Sequence, residues 1–243
     1  MKKKTYLLGM AVLVAGLLAL SGVAQSAMWA GVELGGNFVP STKLSVAGID
    51  VNNTSFHPAV IGGGTLGYDF VNAGFGGYAW PDWMKYFSVA TDFTYNRLNM
   101  SSLGNIAGGS RENGYVAAWT FLLMAHYGFL PDSEVPSGRI NPYIGVGPAI
   151  VFSGINFSLP VPYSALPQAK YLGVGINSRF GTSATNVALV VEPGIRWVCL
   201  KNVSIDTAFR WRYCVPAYDF DNATVKVNPL NQLSFLVRAN YHF

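Results

Sequence analysis

Charged side chains recur at even-numbered positions in two neighbouring segments towards the C-terminal end of the sequence. Glu192 and Arg196 lie in the first segment, and Asp206, Arg210 and Arg212 lie in the second. In an extended strand, residues of the same parity share one face, so each set occupies one side of its segment. Opposite charges on paired strands form ion pairs when they face each other. The chemistry predicted here is therefore charge pairing on a shared face.

The short connection between these segments predicts which charges meet. A turn centred on Lys201 places Glu192 opposite Arg210 and Arg196 opposite Asp206. Two complementary pairs on one hairpin favour a buried network, because a bare charge in a narrow interior is costly. The predicted network collects charged residues along the chain that lie on the polar faces: Glu33, Asp69, Asp92, Glu192, Arg196, Asp206, Arg210, Arg212 and Arg238.

The histidines favour hydrogen bonding over catalysis. His126 and His242 share the parity of the charged faces, whereas His57 lies in a polar stretch. Nucleophilic catalysis needs a base beside its nucleophile, and the sequence shows neither a lipid-A deacylase motif nor metal-ligand spacing. The glycines at 62–64 lack the Lys-Ser/Thr of a phosphate-binding loop. We predict no catalytic residues, no cofactor and no metal, with a lipid-modifying enzyme as the remaining alternative.

Each charged face lies opposite an apolar face with the period of a strand. In 230–243, one face is apolar and ends in aromatic residues, and the other carries Arg238. The segments 187–198 and 203–214 alternate in the same way. Three such segments in succession are typical of a transmembrane β-barrel, with its apolar faces towards lipid and its polar faces inside.

Composition supports a barrel over other membrane structures. The chain is 51% hydrophobic and 12% charged, against ~25% charged residues in typical soluble domains. The best candidate for a spanning helix after the N-terminal segment is 115–125, which is much shorter than the ~20 residues required. A closed barrel is the other structure that satisfies all of its backbone hydrogen bonds within lipid.

Residues 1–27 are predicted to be a cleaved secretory signal. Lysines at 2–4 precede an apolar run at 6–20, and small residues follow it. A retained membrane anchor is the alternative, but the run is short for that role. The three lysines account for most of the formal charge of +4 and leave 13 basic residues against 12 acidic ones. The remaining 28–243 is predicted to form one barrel domain that does not bind nucleic acid.

Eight strands are predicted, an even number that brings both ends of the barrel domain to one side. The long connections at 39–58, 99–113, 153–186 and 215–229 are predicted to be surface loops. The connections on the other side are 71–85, 130–139 and a turn at Lys201. The predicted strands are 29–38, 59–70, 86–98, 114–129, 141–152, 187–198, 203–214 and 230–243.

The two cysteines are predicted to be free thiols. Cys199 lies beside the turn at Lys201, whereas Cys214 ends the following strand. A strand of that length separates them by ~36 Å, far beyond the ~7 Å that a disulfide allows between Cα atoms.

Three stretches carry a resemblance to a known family: Asn-Pro-Tyr-Ile-Gly-Val-Gly at 141–147, the segment 204–213, and the terminal Tyr241-His242-Phe243. They resemble the OmpA-like small outer-membrane β-barrel domain, and the resemblance covers nearly all of 28–243. It implies an outer-membrane location, contact with lipids and lipopolysaccharide, and recognition of Tyr241 and Phe243 by the barrel-insertion machinery. The alternation of long and short connections places both termini in the periplasm, because short turns lie on that side.

The expected function is structural, or an interaction at the cell surface. Eight strands leave an interior that side chains just fill, so the charge network is expected to plug it. The alternative is a narrow channel for small or hydrophobic solutes. The loop 153–186 could present Tyr163, Tyr171 and Phe180 to a surface ligand, or it is a variable solvent loop. We expect a monomer.

Overall fold

Antiparallel strands form most of the structure. The computed structural model describes residues 28–46, 49–70, 79–103, 113–158, 179–220 and 223–243, and the predicted signal peptide at 1–27 lies outside them. In chain order the strands are β1 (Met28–Phe38), β2 (Thr42–Val46), β3 (Ile49–Phe56), β4 (Ala59–Asp69), β5 (Phe87–Arg97), β6 (Met100–Leu103), β7 (Asn113–His126), β8 (Ile140–Ser158), β9 (Arg179–Leu200), β10 (Val203–Cys214), β11 (Ala217–Phe220), β12 (Ala223–Asn228) and β13 (Leu230–His242).

Eight of these strands close into a barrel. Its order is β1-β4-β5-β7-β8-β9-β10-β13, and β13 pairs with β1 to complete the ring. Each neighbouring pair is antiparallel. The predicted eight-stranded up-and-down barrel is therefore confirmed. We call the end where β1 begins and β13 ends the terminal end, and the opposite end the loop end.

Side-chain alternation explains why these sequences close around a polar interior. Phe209 and Phe235 lie on the outer wall with exposed fractions of 47% and 58%, whereas Arg210 and Arg238 are buried. This arrangement confirms that the apolar faces point outward. Every barrel strand contributes an exposed apolar side chain, among them Val32, Val60, Phe93, Trp119, Ile144, Leu189, Phe209 and Phe235.

Three segments predicted as surface loops contain strands, so that prediction was wrong in part. The connections 39–58, 99–113 and 215–229 hold β2, β3, β6, β11 and β12, which form a second sheet in the order β11-β12-β2-β3-β6. Val225 of β12 lies opposite Val46 of β2, for example. Pairing between segments far apart in the chain supplies this order, and it overrides the local turn composition that indicated loops.

The predicted loop 153–186 is also too long. β8 extends to Ser158 and β9 begins at Arg179, and these two residues lie opposite each other. The segments 153–158 and 179–186 are therefore paired strand, because the hairpin continues beyond the closed barrel. The remaining 159–178, with the predicted contact residues Tyr163 and Tyr171, lies outside the described residues.

The connections at the terminal end are more compact. A 3-10 helix, Asp82–Tyr86, precedes β5, and 71–78 lies outside the described residues. Lys201 and Asn202 form the turn between β9 and β10, with a register shift beside it at Val203 and Ser204. Within the described part of the chain, no helix has the length and apolarity needed to cross a membrane.

Both cysteines are free thiols, as predicted. Cys199 lies near the terminal end of β9, and Cys214 is the last residue of β10 at the loop end. The two cysteines therefore lie at opposite ends of the barrel, about one strand length apart.

Adjacent glycines in β1 provide a matched test of the strand packing. A Cβ at Gly35 would lie 1.9 Å from the carbonyl oxygen of Phe235, whereas a Cβ at Gly36 would meet nothing within 4 Å. We expect Gly35→Ala to lower the free energy of unfolding by about 1–3 kcal/mol, because β13 must move away. Gly36→Ala should change it by less than about 0.5 kcal/mol. Urea unfolding in detergent micelles measures both, and equal effects would contradict this packing.

Candidate functional site

Arg210 forms an ion pair across the full width of the barrel. It projects inward from β10, and Asp92 projects inward from β5, four strands away in either direction around the ring. Arg210 Nη1 and Nη2 donate to Asp92 Oδ1 and Oδ2 at 3.0 and 2.6 Å, which is a bidentate geometry. Arg210 Nε donates to Glu192 Oε2 at 2.6 Å. One guanidinium thus binds carboxylates from two other strands.

Arg238 extends the same network to the seam that closes the barrel. Its Nε donates to Glu33 Oε2 at 2.7 Å, and Glu33 lies opposite it on β1. Its Nη1 and Nη2 donate to Glu192 Oε1 and Oε2 at 2.5 and 2.8 Å. Tyr143 on β8 accepts a further hydrogen bond from Arg238 Nη1 at 3.0 Å. We call Glu33, Asp92, Tyr143, Glu192, Arg210 and Arg238 the central network.

The central network is fully enclosed by the wall. Each of its charged side chains has an exposed fraction below 5%. Removing such charges from water costs several kcal/mol per ion, and the cost is offset only when geometry and hydrogen bonds are close to ideal. Here each carboxylate receives at least one short hydrogen bond from an arginine. The arrangement therefore fills the interior with three carboxylates and two guanidinium groups in contact, and it leaves Glu33 Oε1 without a hydrogen-bond partner within the described structure.

A second group of interior residues lies nearer the terminal end of the barrel. We call Trp29, Asp69, Ser88, Arg196 and Asp206 the inner network. Arg196 Nη1 lies 3.3 and 3.2 Å from the two carboxylate oxygens of Asp69, which projects from the opposite strand β4. Arg196 Nε lies 3.5 Å from Asp206 Oδ1. Asp69 Oδ1 also accepts hydrogen bonds from Trp29 Nε1 at 3.2 Å and from Ser88 Oγ at 2.6 Å. The Arg196 guanidinium lies 4.6 Å from the Trp29 ring centre, a cation–π contact.

The hairpin of β9 and β10 has the register that the sequence predicted. Asp206 lies opposite Arg196, and Glu192 binds Arg210. The structure thus brings eight of the nine predicted interior charges into the two networks, as ion pairs within hydrogen-bonding or salt-bridge distance.

Arg212 is the exception. The sequence predicted that it belongs to the charge network, but the structure gives it only neutral partners. It is buried, but it donates to Gln232 Oε1 at 3.0 Å and to Thr94 Oγ1 at 3.1 Å, with no carboxylate partner among the residues that the structure describes. The reason is its height in the barrel, because the described buried side chains around it towards the loop end are uncharged. Buried side chains there include Ile61, Val116, Val151, Cys214, Tyr218 and Leu230.

Several interior residues were missed at the sequence level. Trp29 and Tyr143 have the parity of the inward face, so strand alternation alone could have identified them. Tyr218 could not be identified in this way, because it lies in β11 within a predicted loop. It is fully buried, and its hydroxyl donates to Ser153 Oγ at 2.8 Å. Tyr218 therefore closes part of the interior at the loop end.

The remaining predicted residues lie at the terminal end. His242 Nε2 is 3.0 Å from Ser204 Oγ, and His126 is partly buried. Tyr241 and Phe243, the predicted insertion signal, make an edge-to-face ring contact at 5.3 Å. The described part of the chain holds no group of three or more His, Cys, Asp or Glu side chains arranged to bind a metal.

Comparison with known proteins identifies the fold. No family model and no curated protein matches the chain. The outer membrane protein OprG from Pseudomonas aeruginosa is similar in structure, with a TM-score of 0.52 and 11% identity over 91% of this chain and 99% of that one. The Neisserial surface protein NspA matches with a TM-score of 0.43 and 14% identity over 89% of this chain and 97% of that one. The fold is that of the small eight-stranded outer-membrane β-barrels.

Removing Arg210 tests the energy of the central network. Arg210→Met leaves the buried Asp92 without its arginine partner and the buried Glu192 with only one of its two. We therefore expect the free energy of unfolding to fall by about 3–5 kcal/mol. Arg97→Met changes an exposed arginine at the end of β5 and should cost less than about 1 kcal/mol. Urea unfolding in micelles compares the two variants. A similar small loss for both would show that the buried pairs do not stabilise the barrel.

Proposed function

We propose that this chain is an integral protein of the Gram-negative outer membrane whose interior is plugged, and that it serves a structural or surface-interaction role. The observation that supports a blocked interior is the bidentate pair of Arg210 and Asp92, which joins strands on opposite sides of the ring. Arg196 with Asp69 crosses the barrel in the same way nearer the terminal end. Arg212 with Thr94 crosses it nearer the loop end. Three transverse contacts at successive heights obstruct a continuous path.

The outer wall supports the proposed location. Soluble monomers rarely expose contiguous apolar patches larger than a few hundred Å², whereas here each barrel strand exposes apolar side chains. We therefore propose that the wall contacts outer-membrane lipids and lipopolysaccharide as a monomer, with both termini in the periplasm. Tyr241 and Phe243 at the end of β13 are the proposed contact for the insertion machinery.

The loop-end sheet supports the interaction role. β11, β12, β2, β3 and β6 continue the barrel strands β10, β13, β1, β4 and β5 in the same lateral order. The hairpin of β8 and β9 extends beyond the barrel beside them. This paired backbone offers an ordered surface outside the membrane, and we propose that it and the segment 153–186 contact a surface ligand. We propose no catalytic step.

Planar-bilayer recording tests the plug. We expect the full-length barrel domain to give no reproducible single-channel steps. The double variant Asp92→Ala, Arg210→Ala removes both members of one transverse pair and leaves Glu192 paired with Arg238, so we expect it to pass more ions. Phe93→Ala with Phe209→Ala removes the neighbouring outward side chains and serves as the matched control. Reproducible steps from the unaltered protein would refute the plug.

A second candidate function, lateral passage of apolar solutes, is favoured by a gap in the wall. β10 pairs with β9 as far as Tyr213 opposite Leu189. Beyond this point, residues 179–188 of β9 pair with β8 and with no other described strand. A cavity of 520 Å³ lies at the gap, lined by outward-facing Val187 and Leu189 and by the buried Cys214. The cavity thus lies beside Cys214, which is 2% exposed.

Thiol labelling from the lipid phase tests this route. In a Cys199→Ser background in liposomes, an uncharged, lipid-soluble maleimide should modify Cys214 faster than a charged maleimide does. Val187→Trp fills the cavity and should slow the lipid-soluble reagent by about tenfold. Val237→Trp changes an outward residue on β13 and should leave the rate unchanged. Equal rates for both reagents in all variants would exclude the lateral route.

A further inference from the structure

The terminal end of the barrel contains a roofed cavity beside the contact of Arg196 with Asp69. Its volume is 730 Å³, and it lies between the inner network and the connection from β7 to β8. Sites for small organic ligands typically occupy about 300–1,000 Å³. The roof is formed by 133–137, and Val135 within it is buried. We call this space the vestibule.

The roof of the vestibule is held in place by a clasp of polar contacts. Arg139 pairs with Asp132 and with Glu134, the latter at 2.9 Å. Arg139 Nη1 also donates to the carbonyl oxygens of Val198 and Cys199 on β9 at 3.4 and 3.3 Å. The amide of Val135 and then the Arg139 guanidinium hold the pKa of Asp132 below its usual value. The roof is therefore fixed to the strand that supplies Arg196.

The carboxylates around the vestibule already have partners. Asp69 accepts hydrogen bonds from Trp29, Ser88 and Arg196. Glu134 is paired with Arg139. Neither carboxylate therefore needs a further cation from a ligand.

Two lysines around the vestibule have no ion pair in the described part of the chain, and Arg196, which is paired with Asp69 and Asp206, keeps one unused donor. Lys85 and Lys201 line the vestibule, are exposed, and form no ion pair with another described residue, although the Lys85 ammonium lies 5.4 Å from the Tyr86 ring centre. Arg196 Nη2 and His126 Nε2 are buried and have no hydrogen-bond partner within the described structure. Arg196 is 5% exposed, so its unused donor is enclosed in protein. A buried donor without an acceptor costs about 1–3 kcal/mol, and an oxyanion would satisfy it.

The rest of the lining is mixed: Ser133, Ser137, Asn141, Asn202 and His242 are polar, and the other side chains are apolar. Phe70, Val135, Pro136, Val198 and Phe243 contribute to the wall of the vestibule. We propose that the vestibule binds a small organic anion, with its carboxylate or phosphate group at Lys85, Arg196 and Lys201 and its apolar body against these side chains. The proposal does not require the barrel interior to conduct, because the cavity lies on the terminal-end side of the inner network.

Titration of the labelled protein with matched probes tests the site. Benzoate, phenyl phosphate and the uncharged benzamide are added in turn to the full barrel domain in micelles, and amide shifts are followed by NMR. We expect saturable shifts at His126, Lys201 and Asn202 with one or both anions and none with benzamide. The stronger of the two anions identifies the preferred oxyanion group. Equal binding of benzamide, or no saturable binding of either anion, overturns the proposal.

Variants of the exposed lysines separate a specific site from general attraction. Lys85→Gln with Lys201→Gln should raise the Kd of the bound anion by about tenfold or more. Lys201→Arg keeps the charge and should retain binding. Lys43→Gln changes an exposed lysine near the loop end and should leave the Kd unchanged. An unchanged Kd in the double variant, or an equal increase in Lys43→Gln, overturns the proposal.

Discussion

The bidentate contact between Arg210 and Asp92 determines much of the remaining structure. A guanidinium and a carboxylate on opposite strands meet at 2.6–3.0 Å only if the barrel is narrow and both side chains point inward. Once they are enclosed, a neighbouring charge is costly unless it has a counter-ion or hydrogen-bond partners. Glu192 and Arg238 meet this requirement and connect the pair to Glu33 at the closing seam. The apolar outer wall follows from the same parity, because alternate residues must face the other way.

The barrel and its ion pairs were largely predictable because both depend on a period of two. Alternation identified all eight barrel strands, and the short turn at Lys201 was enough to place Arg196 opposite Asp206. The height of each residue along the barrel axis was not predictable in this way. Arg212 has the same parity as Arg210, yet it lies one step nearer the apolar end of the interior and bonds to neutral partners. Odd or even position determines whether a side chain points into the barrel or out of it. The stagger between neighbouring strands determines which interior side chains lie at the same height.

The second sheet was not predictable from local sequence. β2, β3, β6, β11 and β12 are short and lie in segments rich in turn-forming residues, and they are ordered by pairing with segments far away in the chain. Tyr218 is buried for the same reason, because the position of β11 depends on β12 and β2. Such non-local information is absent from a window of neighbouring residues. The second sheet and the burial of Tyr218 at the loop end could therefore be identified only from the structure.

The pairing of β12 with β2 has a consequence for assembly. Val46 and Val225 belong to the first and last hairpin extensions, and they become neighbours only when β13 docks on β1. Contacts between such distant parts of a chain form late, because the intervening polypeptide must be ordered first. The exterior sheet is thus completed by the same event that seals the cylinder. A paired second sheet is therefore a sign that the barrel has closed.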